Sequence, residues 1–155
     1  MDFQISGLNP NKFSHLFGQD EEALAARGVT RMTVDEYPGF PCRITLEDAE
    51  VGETVLLLNF EHQTAKTPYR SSHAIFIRES TSKADLEVNE VPQLLKRRLL
   101  SVRAFDDAGM MLDAEVIDGE AVTDLIQKLF ADEACSYLHI HNAGRGCYAA
   151  RVDRA

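Results

Sequence analysis

The chain has 155 residues, of which 45% are hydrophobic and 26% are charged. This length and composition predict one globular domain, residues 1–155, with enough apolar side chains to fill a core. The formal net charge of −9 argues against a nucleic-acid-binding or anionic-membrane-binding surface, because both need clustered positive charge.

We expect a cytoplasmic location, because the sequence shows no targeting signal and its cysteine spacing suggests no disulfides. No apolar run approaches the length of a membrane span, and the first residues lack a basic segment followed by an apolar one. The three cysteines, Cys42, Cys135 and Cys147, are an odd number without a Cys-x-x-Cys motif. This spacing favours neither a disulfide scaffold nor a structural zinc site.

Short elements are predicted for the first third of the chain. Alternating or apolar runs predict strands, and Asn or Asp before a helical pattern predicts a capped helix. The predicted elements are a strand over residues 3–6, a helix from Asn9 through Phe17, a helix capped by Asp20, and strands over residues 29–34 and 42–46.

The stretch over residues 53–79 is where a site is most expected. Its apolar runs, Val55–Phe60 and Ala74–Ile77, predict two buried strands, and the polar segment from His62 to His73 predicts a loop between them. A polar loop on a rigid scaffold is a usual place for function. It holds a guanidinium, hydroxyls and an imidazole suited to an oxyanion: Tyr69, Arg70, Ser71, Ser72 and His73. The alternative is a solvated loop.

A helix and a hairpin follow an exposed loop over residues 80–90. The pattern predicts a helix from Asn89 to Leu100, then strands over residues 101–106 and 110–117. The connection over residues 107–109 suits a three-residue turn with Gly109 in the left-handed conformation. In that register Arg103 faces Asp113 as a surface ion pair.

The main helix is predicted from Glu120 to about Asp132. Its apolar residues recur at helical spacing and give one face for packing against a sheet. They are Val122, Leu125, Ile126, Leu129 and Phe130.

The last segment predicts a hairpin with two unlike faces. Residues 136–141 and 147–152 alternate, and Asn142–Gly146 joins them as a five-residue loop. If His141 faces Cys147, then His139 faces Ala149 and Tyr137 faces Arg151. Leu138, Ile140, Tyr148, Ala150 and Val152 then occupy the apolar face.

His139 and His141 lie on the same face of the predicted strand, as metal ligands often do. Further ligands would have to come from His62, His73 or Cys147. The alternative is a pair of neutral histidines in hydrogen bonds. Since two histidines do not complete a metal site, we expect no resident metal and no cofactor.

Cys147 opposite His141 resembles half of a thiolate–imidazole pair, with a semi-buried cysteine as the alternative. The hairpin loop, with Asn142 and Arg145, can turn backbone N–H groups toward an anion, although a glycine-containing turn needs no ligand. Candidate catalytic residues are therefore His73, His139, His141 and Cys147. Candidate ligand-binding residues are Tyr69, Arg70, Ser71, Ser72, Asn142 and Arg145.

Four strings of the sequence resemble a family of small bacterial proteins, the domain-of-unknown-function family number 1203. They are YPGFPCR (37–43), VLLLNFEH (55–62), PYRSSHAIFIRE (68–79) and HIHNAGRGCY (139–148). The resemblance covers nearly the whole chain and implies a bacterial single-domain protein. It implies no particular activity, substrate or cofactor.

These observations predict an α+β fold, a mainly antiparallel sheet packed by one main helix with smaller peripheral helices. The function we expect is a cleft that binds a small anionic metabolite, with hydrolysis or group transfer through histidine acid–base chemistry if it is an enzyme. The alternative is a noncatalytic interaction or regulatory domain whose polar sheet face is the partner surface. The sequence leaves the oligomeric state open.

Overall fold

The computed structural model describes all 155 residues, Met1 to Ala155. Eight strands and three α-helices follow one another along the chain. They are β1 (Phe3–Ser6), α1 (Glu21–Ala25), β2 (Thr30–Thr33), β3 (Thr54–Gln63), β4 (Ser71–Ile77), α2 (Gln93–Lys96), β5 (Leu99–Phe105), β6 (Met111–Asp118), α3 (Val122–Phe130), β7 (Tyr137–Asn142) and β8 (Tyr148–Arg154). Short 3-10 turns cover Pro10–Lys12, Ser14–Leu16 and Gly119–Ala121.

The strands form two antiparallel sheets, which confirms the α+β fold class. The larger sheet has the strand order β1-β8-β7-β5-β6, and the smaller has the order β2-β3-β4. We expected one mainly antiparallel sheet, and the structure has two. The chain leaves the larger sheet after β1 and returns to it only at β5, and the strands in between, β2 to β4, form the smaller sheet.

The helix α3 packs on one face of the five-stranded sheet, as its apolar spacing predicts. Its five apolar side chains are all buried, and they share one core cluster with Val102, Leu138, Ile140 and Val152 of the sheet. Asp118 accepts a hydrogen bond from the Glu120 N–H at 3.0 Å, so it caps the turn that leads into the helix.

The three-stranded sheet covers the opposite face of the larger sheet. A second core cluster joins Leu56, Leu58 and Ile75 of the smaller sheet to Tyr148 of β8. Gln63 of β3 donates a hydrogen bond to the Tyr137 hydroxyl of β7 at 2.9 Å, which also ties the sheets together. The polar face of β7 is therefore enclosed between two sheets.

Two local predictions are wrong because tertiary pairing outweighs local propensity. The predicted helix over residues 89–100 is reduced to α2, and Leu99 begins β5, whose Leu100 pairs with Asn142. Residues 42–46 form a turn with isolated bridges on either side, Pro41 to Asp48 and Cys42 to Phe76, instead of a strand.

Bulges shift both predicted hairpin registers. A bulge between Ala104 and Phe105 places Arg103 opposite Ala114, so the predicted pairing of Arg103 with Asp113 is wrong. The turn itself is as predicted, with Gly109 at φ +85°. One extra residue on one strand shifts the register of every pair beyond it by one residue.

The C-terminal hairpin shows the same effect. A bulge at Ile140 and His141 places Tyr148 opposite His141 and Arg151 opposite His139, so the predicted pairing of Cys147 with His141 is wrong. The separation of faces is kept for β7: Leu138 and Ile140 face α3, whereas His139 and His141 face the smaller sheet. Tyr148 moves from the predicted apolar face to the histidine face.

Candidate functional site

Four of the five histidines meet between the two sheets. His62 and His73 come from the smaller sheet, and His139 and His141 come from β7. The ring centroids of His62 and His141 are 4.8 Å apart, those of His73 and His141 are 5.4 Å apart, and those of His62 and His139 are 5.9 Å apart. We call these four residues the histidine cluster.

The β3–β4 pairing brings His62 and His73 into the cluster. The two strands are longer than predicted, so both histidines lie on paired strands and not in a loop. His73 lies opposite Phe60, and the register shifts between Glu61 and Gln63, where His62 sits. His62 Nε2 and His73 Nδ1 are 2.7 Å apart, a hydrogen bond in which one ring N–H donates to the other ring.

The protonation state of His141 follows from its partner. Its Nδ1 lies 2.8 Å from the Gly146 carbonyl oxygen, which can only accept, so the proton is on Nδ1. The Nε2 lone pair is then buried and has no hydrogen-bond donor. Nδ1 of His62 and Nδ1 of His139 are likewise buried without a partner.

Burial keeps the cluster neutral. Desolvation lowers the pKa of His141 to about 2 and that of His139 to about 3. Burial, and then the neighbouring His73, lower the pKa of His62 to about 4. Burial also lowers the pKa of His73. At neutral pH the cluster therefore presents uncharged imidazoles.

Aromatic rings enclose the histidine cluster. Tyr148 stacks on His62 with centroids 5.3 Å apart and an interplanar angle of 6°. Phe105 and Tyr137 each lie 5.2 Å from His139, centroid to centroid. These rings exclude water from the inner end of the cluster, which is why His139 and His141 are so strongly desolvated.

Two arginines are neighbours of the cluster: Arg151, which pairs with Asp153, and Arg103. Arg103 pairs with His139 across β5 and β7, and its only side-chain hydrogen bond is to Ser101 at 3.4 Å. No carboxylate pairs with it, and burial lowers its pKa. The guanidinium is thus a half-buried positive charge without an anionic partner.

A cavity of about 430 Å³ opens beside the outer end of the cluster. We call it the arginine cavity, because three arginines line it together with His73 and no carboxylate does. Its walls are Gly39, Pro41, Arg43, Leu57, His73, Ala74, Phe76, Arg98, Asn142, Arg145 and Cys147. A larger cavity of about 560 Å³ lies elsewhere and is lined by four carboxylates, Glu47, Asp48, Asp85 and Glu90.

Arg43 and Cys147 form the floor of the arginine cavity. Arg43 is 1% exposed and donates to three acceptors: the Pro41 carbonyl at 2.6 Å, the Tyr148 carbonyl at 2.8 Å and Cys147 Sγ at 3.1 Å. Burial lowers its pKa. Asn142 Nδ2 also donates to Cys147 Sγ, at 3.4 Å. The sulfur therefore bonds to Arg43 and Asn142, and the predicted pairing with His141 is wrong.

The other two arginines of the cavity differ in their partners. Arg98 donates to both carboxylate oxygens of Asp48, at 2.5 and 3.0 Å, and Arg97 shares that carboxylate. Arg145 is exposed and has no hydrogen-bond partner in the protein. Asn142 Oδ1 is buried without a partner. The cavity thus offers a free guanidinium and a positive balance of charge.

The predicted site residues divide into two groups. His73, His139 and His141 lie in the histidine cluster, Ser71 Oγ lies 3.3 Å from His62 Nε2, and Asn142, Arg145 and Cys147 line the arginine cavity. Arg70, by contrast, pairs with Glu61 at 2.5 Å on the outer side of the smaller sheet. Ser72 lies beside that pair, and Tyr69 packs at the edge of Phe105.

Sequence reasoning missed four residues of the site: Arg43, Arg98, Arg103 and Tyr148. Arg43 stands in the YPGFPCR string, where a charge among apolar residues could have marked a buried guanidinium. Arg103 was assigned to an ion pair that a bulge removes. No local pattern marks Arg98, because its place beside Asn142 depends on the pairing of β5 with β7.

Comparison with known proteins gives a family. Residues 39–154 match the family described as "Protein of unknown function (DUF1203)". The chain belongs to this family, as its sequence strings predict, and the match includes every residue of the histidine cluster and of the arginine cavity. No curated protein matches the chain, and no solved structure matches it either.

The helices are short compared with a membrane span. The longest α-helix, α3, has nine residues, and none of the helices is long and apolar enough to cross a bilayer.

Proposed function

We propose that the protein binds a small anionic metabolite in the arginine cavity. The observation that carries the proposal is that Arg43, Arg98 and Arg145 line one cavity of about 430 Å³ to which no carboxylate contributes, in a protein of net charge −9. Guanidinium groups and side-chain amides are the usual donors to phosphate and carboxylate oxygens. The volume falls in the usual range for small-molecule sites.

The three arginines contribute differently to anion binding. Arg145 has no partner in the protein and is free to pair with a ligand. Arg98 is held by Asp48, so it adds a fixed, partly neutralised charge. Arg43 is committed to three acceptors and sets the positive potential of the floor. Arg145 is therefore the residue whose removal tests the proposal.

A hydrolytic or group-transfer reaction is the second candidate. The observation that favours it is that the Cys147 thiol and the His73 imidazole line the same cavity, which supplies a nucleophile and an acid–base group. His139 and His141 lie deeper and would act only through His73 or His62. Turnover of a phosphate or carboxylate ester that is lost in Cys147→Ser would support this reaction.

An interaction domain that uses the polar face of β7 is less well supported. His139 is 3% exposed and His141 is 0% exposed, because the smaller sheet covers that face.

We propose a cytoplasmic location for the protein, since its three cysteines are free, which is typical of a reducing compartment. Its ligand would then be a cytoplasmic metabolite.

The test is calorimetric titration of the chelator-treated protein with phosphate, sulfate and a panel of di- and tricarboxylates. Arg145→Ala should weaken binding by about 10-fold or more, because a charge-assisted hydrogen bond contributes about 1.5–3 kcal/mol. Arg70→Ala is the matched control: it also removes an exposed arginine, but one that pairs with Glu61 outside the cavity. Equal affinities in all three proteins, or no binding by the wild type, would contradict the proposal.

A further inference from the structure

Three residues of the histidine cluster bring ring nitrogen atoms close together. One ring nitrogen from each of His62, His73 and His141 lies within 4.8 Å of the other two. These residues come from three strands and two sheets, so their meeting is a property of the fold. His139 lies directly behind them, with its ring 6.4 Å from that of His141.

The hydrogen bonds of His141 are those of a metal ligand. Its Nδ1–H is fixed by the Gly146 carbonyl, and its Nε2 lone pair is buried and unpartnered on a residue that is 0% exposed. Histidines that bind metals usually donate the second ring N–H in this way, which fixes the tautomer and the ring orientation. A buried lone pair without a donor is otherwise costly.

The other two residues supply complementary geometry. His62 Nε2 and His73 Nδ1 already face one another at 2.7 Å. Two imidazole nitrogens on a tetrahedral zinc ion are about 3.3 Å apart, since each Zn–N bond is about 2.0–2.1 Å. A zinc ion would replace the proton of this hydrogen bond, which would move to the other nitrogen of the same imidazole, and the two rings would have to separate by about 0.6 Å. Such a change is within reach of His73, which is half-buried at the open side of the cluster.

From this arrangement we infer that His62, His73 and His141 bind one divalent transition-metal ion of the zinc class. Neutral imidazoles suit zinc, copper, nickel and iron. Three protein ligands leave one position open, as in catalytic zinc sites. The expectation of no metal rested on two histidines of one strand, and the smaller sheet adds two more.

Charge around the site determines what the open position would take. Arg151, opposite His139 on β8, pairs with Asp153, whereas Arg103 stands beside the cluster without a carboxylate partner. The guanidinium repels a cation, which lowers the affinity of the site for the metal alone. It also favours an anion as the fourth ligand, because the metal and Arg103 would attract it together.

The site is independent of the arginine cavity, although His73 borders both. Zinc binding is therefore measured on the untagged full chain, stripped with chelator and dialysed into a buffer free of phosphate and carboxylates. Calorimetry and elemental analysis should give one zinc ion per chain for the wild type. Arg145→Ala should bind zinc as the wild type does, so the failure of one proposal leaves the other standing.

Variants identify the ligands. His73→Asn should weaken zinc binding by at least about 100-fold, since losing a ligand costs more than losing an outer-shell partner. His62→Asn provides a second variant, and His15→Asn is the matched control, because His15 is the exposed fifth histidine. Far-UV circular dichroism is recorded for each variant as a check of its fold. No zinc bound by the wild type, unchanged affinity in His73→Asn, or zinc lost only in Cys147→Ser would each overturn the inference.

Discussion

At the scale of single residues, the notable feature is the number of buried polar groups without a charged partner. Arg43 is held by two carbonyls and a thiol, Arg103 by one hydroxyl, and three buried histidine nitrogens have no partner. Buried polar groups usually find partners, and exceptions concentrate where a ligand binds. These groups belong to the histidine cluster, lie beside it, or line the adjoining arginine cavity.

The histidine cluster predicts that stability falls at mildly acidic pH. The folded-state pKa of His62, His139 and His141 is lowered to about 4, 3 and 2, whereas the unfolded value is near 6.5. The unfolded chain therefore takes up protons first, so the stabilisation is complete above pH 6.5 and is lost as pH falls toward the folded values. Each such histidine contributes up to about 1.4 kcal/mol per pH unit.

Urea unfolding of the metal-free protein between pH 7.5 and 5.5 measures this slope, because most carboxylates titrate below that window. His139→Asn should make the slope shallower by up to about 1.4 kcal/mol per pH unit. His15→Asn is the matched control, because His15 is the exposed histidine outside the cluster. Parallel curves for the wild type and His139→Asn would show that His139 is not held neutral by the fold.

At the scale of elements, the patterns that depend on near neighbours were predictable. The spacing of Val122, Leu125 and Leu129 predicts the buried face of α3, and the alternation in β7 predicts opposite faces for Leu138 and His139. The bulges at Phe105 and His141 were not predictable, because they depend on pairing with a second strand. Because of a single bulge, Tyr148 lies opposite His141 in place of the predicted Cys147.

A tertiary contact explains why residue 119 is glycine, since its backbone conformation does not require one. A Cβ on Gly119 would lie 1.9 Å from the Leu95 carbonyl oxygen of α2, a backbone atom that cannot swing aside. Gly119→Ala should therefore lower the free energy of unfolding by about 2 kcal/mol or more, as overpacking does.

Gly144 provides the matched control for Gly119. A Cβ at Gly144 meets nothing within 4 Å, so Gly144→Ala should change stability by less than about 0.5 kcal/mol. Chemical unfolding of both variants at neutral pH measures the difference. Equal stabilities would show that α2 shifts freely and that its packing on the Gly119 turn contributes little.

At the scale of the whole molecule, the fold creates the site by closing one sheet over another. The sequence identified the two polar segments, and the structure brings His62 and His73 of the first against His139 and His141 of the second. It could not show that Arg70 faces outward while Arg43 and Arg98 face the cavity. Which arginines line a cleft between sheets depends on strand register and sheet packing, which are set by contacts distant in sequence.

The central claim is that the arginine cavity binds an anion, and side-chain NMR tests it most directly. Titration of the ¹⁵N-labelled protein with phosphate should shift the Arg145 and Arg98 Nε–H resonances and the amides of residues 144–147 along one saturable curve. The Arg70 Nε–H resonance should stay in place, because that guanidinium pairs with Glu61 on the outer face. Shifts confined to Arg70, or no saturable shift at Arg145 with any anion of the panel, would contradict the account.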